Sequence, residues 1–274
     1  MPSSDKEKSD AFLRRISACL DRPFKATAPV LQASHSGSLA FVGSAVLLDA
    51  GEHAFALTAS HVLDEEASGE LLLGRVGHVV SMRGPRALTR VPQGGTRQDD
   101  HVDLAMVHLT EAARLSFAQD EFIKPADLYL GPAPSGTFIV GGYPLSHQPR
   151  HLAPGNDVVR MYTLVAEEIP LPHYKRDGYD REVSLLLSFN KKETWRMDIG
   201  HATAPDLKGV SGGGIWHLQD INGSVLTPRL CAIAIEWHRN PKRILATRIR
   251  IAIDELGRRF PELRFDTAHH GNPV

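Results

Sequence analysis

From about residue 27 onward the chain is written in short apolar runs separated by Gly, Pro, Asp and Ser, a pattern that leaves few folds open. Runs rich in Val, Leu, Ile and Phe occupy 39–49, 53–59, 76–82, 103–109, 136–142, 158–165, 183–189, 229–236 and 243–248. Each has the length of a strand and ends in turn-forming residues. Long amphipathic helices alternating with strands, the mark of a parallel α/β sheet, are missing from this stretch. An all-β barrel or sandwich is therefore predicted. Two segments depart from the pattern. Phe12, Ile16 and Leu20 recur every fourth residue with charged residues between them, which predicts an N-terminal helix ended by Pro23. That helix either lies on the main body or docks onto a partner. Residues 249–259 predict a closing helix with Ile251, Ile253 and Leu256 on its apolar side, followed by a frayed tail. No internal repeat is present.

Composition removes several classes of function. Lys plus Arg is 31 and Asp plus Glu is 32, so no basic surplus exists to neutralise phosphates, and no nucleic-acid partner is expected. No apolar stretch approaches the roughly 20 residues of a membrane-spanning helix, so no membrane partner is expected either. The N-terminus has neither an uninterrupted apolar core nor a small-residue cleavage site, so it does not read as a secretory signal. Cys19 and Cys231 exclude a disulfide framework while leaving one bridge open, and a reduced, cytoplasmic location is expected. Cys231 lies in an apolar run and reads as a core residue. Neither His-Glu-x-x-His nor Cys-x-x-Cys occurs, so no metal and no cofactor is expected.

The sharpest local signal is Gly209-Val210-Ser211-Gly212-Gly213-Gly214. Glycines around a serine allow a tight backbone turn that exposes the hydroxyl and frees neighbouring amides to stabilise an oxyanion. The plainer reading is a glycine-rich turn with an incidental serine. A nucleophilic serine needs a base, and His61 ends the apolar run Thr58-Ala59-Ser60-His61. The base needs an orienting carboxylate, and Asp103 opens the run Leu104-Ala105-Met106-Val107. Alone, His61 reads as a solvent-facing histidine and Asp103 as a turn aspartate. Together, in the order His61, Asp103, Ser211, they resemble the trypsin/chymotrypsin-like serine peptidases. Thr58-Ala59-Ser60-His61 resembles that family's T-A-A-H, Asp103-Leu104-Ala105-Met106 its D-I-A-L, and 209–213 its G-D-S-G-G. Phe41-Val42-Gly43-Ser44-Ala45, Gly141-Gly142-Tyr143-Pro144, Ala234-Ile235-Glu236-Trp237 and Thr247-Arg248 are secondary echoes. With no usual disulfides, the resemblance is to a bacterial-type, intracellular member.

The resemblance implies two six-stranded antiparallel barrels with the site between them. On that scheme 1–26 is a helical extension, 27–130 the first barrel with His61 and Asp103, 131–262 the second barrel with Ser211 and an insertion at 145–200, and 263–274 a flexible tail. It further implies a serine endopeptidase acting on a protein or peptide. His61 is the base, Asp103 its orienter, and the amides of Gly209 and Ser211 form the oxyanion hole. Val210 stands where secreted relatives carry the aspartate that pairs with a new N-terminus, so no zymogen switch of that type is expected. Restraint would then come from narrow specificity or from gating by the N-terminal helix, the insertion or a regulatory protein. Asp206, Lys208, Glu236 and Trp237 are candidates for substrate binding. Glu236 either faces the cleft, where it would favour a basic side chain, or belongs one residue out of register. The principal alternative is a catalytically latent or inactive binding protein of the same fold. An α/β-hydrolase is disfavoured because its Asp and His follow its Ser, and a metal hydrolase because ligand spacing is missing.

Overall fold

A computed structural model describes residues 14–34, 37–75, 77–148, 161–190, 192, 194–196, 200–219, 226–263 and 265. Strand β2 (Leu39–Ala50) shows how its core is divided. Side chains alternate across a strand, and from Ser44 to Ala50 every residue of β2 is buried. Ala45 and Leu47 pack with Val30, Leu73, Val107 and Phe122 inside the first sheet. Val46 and Leu48 pack instead with Trp216, Leu230 and Ile233 of the second. One strand thus serves two cores, and burying each such Leu or Val contributes about 1.5–3 kcal/mol.

The first sheet contains β1 (Thr27–Ala33), β2, β3 (His53–Ala59), β4 (Glu70–Arg75), β5 (His78–Ser81), β6 (Arg86–Leu88) and β7 (Leu104–His108) in the order β5-β4-β1-β2-β3-β7-β6. Every pairing is antiparallel. Its two edge strands, β5 and β6, are joined by residues 82–85, so the sheet curls on itself. It has seven strands where six were expected, because a short β6 pairs separately with β7. The second sheet has the expected six: β8 (Thr137–Gly142), β9 (Tyr162–Glu167), β10 (Ser184–Ser188), β13 (Gly214–Gln219), β14 (Thr227–Arg239) and β15 (Lys242–Arg248), ordered β10-β15-β14-β13-β8-β9. A bridge between Glu168 and Leu187 joins its outer strands and closes the ring. Strands β11 (Thr194–Arg196) and β12 (Gly200–Ala202) form a separate ribbon.

Three expectations change. Residues 145–200 are not wholly an insertion, since β9 and β10 are integral to the second sheet; α4 (Leu171–Asp177) lies between them, and 149–160 fall outside the described residues. Pro23 does not end the first helix. Residues 14–19 are helical, the chain breaks at Leu20, and Pro23 lies in the first turn of α1 (Asp21–Ala26), where its missing N–H costs nothing. Helices α2 (Ser60–Asp64) and α3 (Glu111–Leu115) are single turns, while α5 (Ile249–Arg259) is the closing helix. Its buried stripe is Ile249, Ala252, Ile253 and Leu256, with Ile251 only half-buried. No helix among the described residues is long and apolar enough to cross a membrane.

The N-terminal segment belongs to the core. Ile16 and Leu20 are buried in the cluster that holds Trp216 and the α5 stripe, whereas Phe12 lies outside the described residues. Ile16→Ala is expected to lower stability by about 2–5 kcal/mol, read as a shifted urea midpoint at unchanged slope. An unshifted midpoint would mean that the segment is only draped on the surface.

Candidate active site

The pairing of β3 with β7 brings His61 to Asp103. Ala59 lies opposite Leu104, so the residues just beyond β3 meet those just before β7. Two bonds secure the junction: Ser60 N–H donates to the Asp103 carbonyl at 2.9 Å, and Ser60 Oγ to the Leu104 carbonyl at 2.7 Å. His61 follows as the second residue of α2, with its side chain 38% exposed. The Asp103 carboxylate accepts twice from that residue, from the backbone N–H at 3.0 Å and, on its other oxygen, from Nδ1 at 2.5 Å. With Nδ1 carrying the shared proton, Nε2 keeps its lone pair.

Asp103 is held in a costly conformation. Its φ of 39° makes it the one non-glycine residue at positive φ among the described residues, a state worth about 1–3 kcal/mol of strain. Asp100 supports it. One Asp100 oxygen accepts from the N–H groups of Val102 and Asp103 at 3.1 and 3.0 Å. The other accepts from Thr89 Oγ1 at 2.5 Å and Arg97 Nη1 at 2.8 Å. Burial raises the Asp100 pKa, but these donors outweigh it and hold the carboxyl below its ordinary value. Arg97 also donates through Nε to Asp64 at 2.9 Å. One guanidinium therefore ties α2, which carries His61, to the turn that carries Asp103. Its own pKa is raised, chiefly by the bond to Asp64.

The Ser211 loop is built from opposed peptide planes. In a trans peptide the N–H points opposite to the preceding C=O. The Lys208 carbonyl accepts from Leu145 N at 2.8 Å, which turns the Gly209 N–H the other way. The Val210 carbonyl accepts from Gly213 N at 2.8 Å, which does the same for the Ser211 N–H. Neither N–H meets an acceptor among the described residues. Gly209 (φ 93°) and Gly212 (φ 86°) are required at this turn: a Cβ at Gly212 would lie 1.9 Å from the Ser44 carbonyl oxygen, and one at Gly209 2.7 Å from that of Tyr143.

Ser44 of β2 ties this loop to the first sheet. Its N–H donates to the Ser211 carbonyl at 2.8 Å, its Oγ donates to the Gly209 carbonyl at 2.8 Å, and the same Oγ accepts from Tyr143 N at 3.0 Å. Thr58, three residues before His61, donates to the Ser44 carbonyl at 2.7 Å. Gly43 permits the approach, because a Cβ there would lie 2.7 Å from the Val62 side chain and 3.2 Å from the Ser211 carbonyl oxygen. Ser211 and the His61 helix are thereby separated by a single glycine. The Ser211 hydroxyl itself donates to the Ile235 carbonyl at 3.1 Å. Ser44→Ala would leave Gly209 O and Tyr143 N unpartnered. A loss of about 1–3 kcal/mol in stability is expected, read as a lowered urea midpoint.

Val210 is buried in the second-sheet core with Val140, Leu207 and Ile215. Beyond Ser211, Lys208 N–H and Trp237 Nε1 donate to Asp206 Oδ1 at 3.2 and 3.3 Å. Arg239 Nη2 pairs with Asp206 Oδ2 at 2.9 Å. Burial raises the Asp206 pKa, yet these donors hold it below the ordinary value. Glu236 is exposed, with its carboxylate 3.4 Å from His238 Nε2; it does not contact Asp103. Cys231 is buried, which pushes its thiol pKa up, and neither cysteine is bridged. No cluster of metal-ligating side chains occurs among the described residues. Asp100, Arg97, Asp64 and Ser44 were missed as supporting residues. Only the polar run before Asp103, and Ser44 within the 41–45 motif, carried any signal of them.

No protein-family model and no curated protein sequence matches the chain. Among solved structures, the chain is similar to neuropsin, a serine protease expressed in the limbic system of mouse brain. The TM-score is 0.58, over 88% of this chain and 96% of that one, at 14% identity. The fold is the trypsin-like double β-barrel.

Proposed function

We propose that the protein is a serine endopeptidase working through His61, Asp103 and Ser211. The observation that carries this reading is the His61–Asp103 pair set beside a serine loop whose Gly209 and Ser211 amides meet no acceptor among the described residues. In the proposed reaction Ser211 Oγ attacks the substrate carbonyl carbon as its proton passes to His61 Nε2. The carbonyl oxygen becomes an oxyanion held by the N–H groups of Gly209 and Ser211. His61 then protonates the departing amine as the C–N bond breaks, leaving an acyl-enzyme. Water, deprotonated by His61, attacks the ester and restores Ser211. Asp103 keeps the ring in its Nδ1–H form and stabilises the imidazolium.

A peptide substrate suits the site because the Ser211 loop engages the β14 edge only as far as Ile235, through Gly212, Gly213 and the Ser211 hydroxyl, while β14 runs on to Arg239 with β15 on its other side. An extended chain can add to that edge. Burial of Val210 in an apolar core supports a loop that stands without an ionic anchor, hence without a zymogen switch of that type.

A second reading, a latent or inactive protein of the same fold, is favoured by one observation: the Ser211 hydroxyl is engaged by Ile235 O. Resting enzymes commonly hold catalytic hydrogen bonds loosely, so the endopeptidase reading is preferred. A fluorophosphonate probe decides between them. Labelling of the wild type, abolished in both Ser211→Ala and His61→Ala, is the expected result. A folded wild type that stays unlabelled would establish the latent reading instead.

A further inference from the structure

The chain immediately around Ser211 also bears on which substrate the proposed site takes, and the inference below rests on the endopeptidase reading. On that reading, the side chain beside a substrate carbonyl held at Ser211 meets the two segments that flank this residue. One is 206–209, which leads into the loop. The other is 235–239, which begins at the carbonyl that receives Ser211 Oγ. Trp237 lies two residues beyond Ile235, just past a bulge in β14.

Alternation along β14 sorts that second segment. The Glu236 carboxylate and His238 Nε2 lie 3.4 Å apart on one side. Trp237 and Arg239 both reach Asp206 across the gap. The indole is braced from behind by Phe189, edge-on at 5.7 Å, and the Arg239 guanidinium lies 5.7 Å from its ring centroid. The gap between the two segments is therefore crossed by a side-chain hydrogen bond and walled by a tryptophan. Both oxygens of Asp206 are taken, one of them by a guanidinium. A basic substrate side chain would find Asp206 already paired with Arg239, whose side chain is 79% exposed, and would have to displace that cation to reach it. A large one would have to displace the indole.

We propose that Asp206, Trp237 and Arg239 restrict the residue on the acyl side of the cleaved bond to small, uncharged side chains. Trp237 sets the size limit, and Arg239 cancels the charge of Asp206.

The test uses the full chain and a fluorogenic peptide series varied only at that residue, as Ala, Val, Phe, Arg and Glu. Fluorophosphonate labelling is run in parallel on every protein. In the wild type, kcat/KM for Ala or Val should exceed that for Phe, Arg and Glu by at least about tenfold, the scale of discrimination a shaped pocket supplies. Trp237→Ala should raise Phe relative to Ala by a similar factor, and Arg239→Ala should raise Arg. A wild type that labels but prefers Arg or Phe overturns this inference and leaves the endopeptidase reading intact. So does a labelled Trp237→Ala protein whose Phe-to-Ala ratio is unchanged. A folded wild type that neither labels nor cleaves removes both. The wild-type profile needs no variant, so a substitution that fails to fold does not block the test.

Discussion

Ser211→Ala, His61→Ala and the double variant are expected to lose turnover by nearly the same factor, on the order of 10⁶ on a cleaved peptide. The near-equality is the informative part. Ser211 supplies the electron pair and His61 removes its proton, so either loss ends the covalent route and the second loss adds little. Activity remaining in all three would come from the Gly209 and Ser211 amides and from substrate placement. Neither needs the hydroxyl or the imidazole, because the Lys208 and Val210 carbonyls that orient those amides are bonded to Leu145 and Gly213. Single-turnover rates and far-UV circular dichroism on the three variants check this. Additive losses, or a Ser211→Ala protein with near-wild-type turnover, would rule out an acyl-enzyme at Ser211.

That the two halves of the site could be read at all follows from where its residues lie. His61 ends one apolar run and Asp103 opens another, and both strands are legible as strands. Antiparallel pairing of Ala59 with Leu104 does the rest. Glycines at 209 and 212 were legible for a similar reason: the backbone itself demands them, at φ of 93° and 86°. The supporting residues were not legible. Arg97 joins Asp64 to Asp100, and Ser44 joins β2 to Gly209 across 165 residues of chain. Such contacts have no period and no local spacing, so they exist only once the sheets are folded. The range 145–200 was misread for the opposite reason. Its apolar runs at 158–165 and 183–189 are visible as strands, yet the length of the segment and its charged, aromatic stretch at 173–177, which folds into α4, suggested an insertion. Pro23 was misread because proline stops a helix in its interior but is accommodated in a first turn.

Asp103→Asn is expected to lower turnover by about 10⁴, equivalent to roughly 5.5 kcal/mol at 1.4 kcal/mol per decade, while leaving the fold in place. Asparagine can still accept from the His61 backbone N–H, the contact Asp103 makes at 3.0 Å. Its amide, however, presents a donor where Nδ1–H now donates, so the ring is pushed to the tautomer with its proton on Nε2. A base whose lone pair has moved to Nδ1 cannot take the Ser211 proton, and no carboxylate remains to steady the imidazolium. The strain at φ 39° should ease little with this change, since asparagine tolerates the left-handed region about as well as aspartate. Asp100 should go on binding the 102–103 amides as before. The expected pairing is therefore a thermal midpoint close to wild type with turnover reduced ten-thousandfold. A large drop in midpoint would mean that Asp103 chiefly holds the turn together. Unchanged turnover in a stable variant would remove Asp103 from the proposed chemistry and leave His61 to act without an orienting carboxylate.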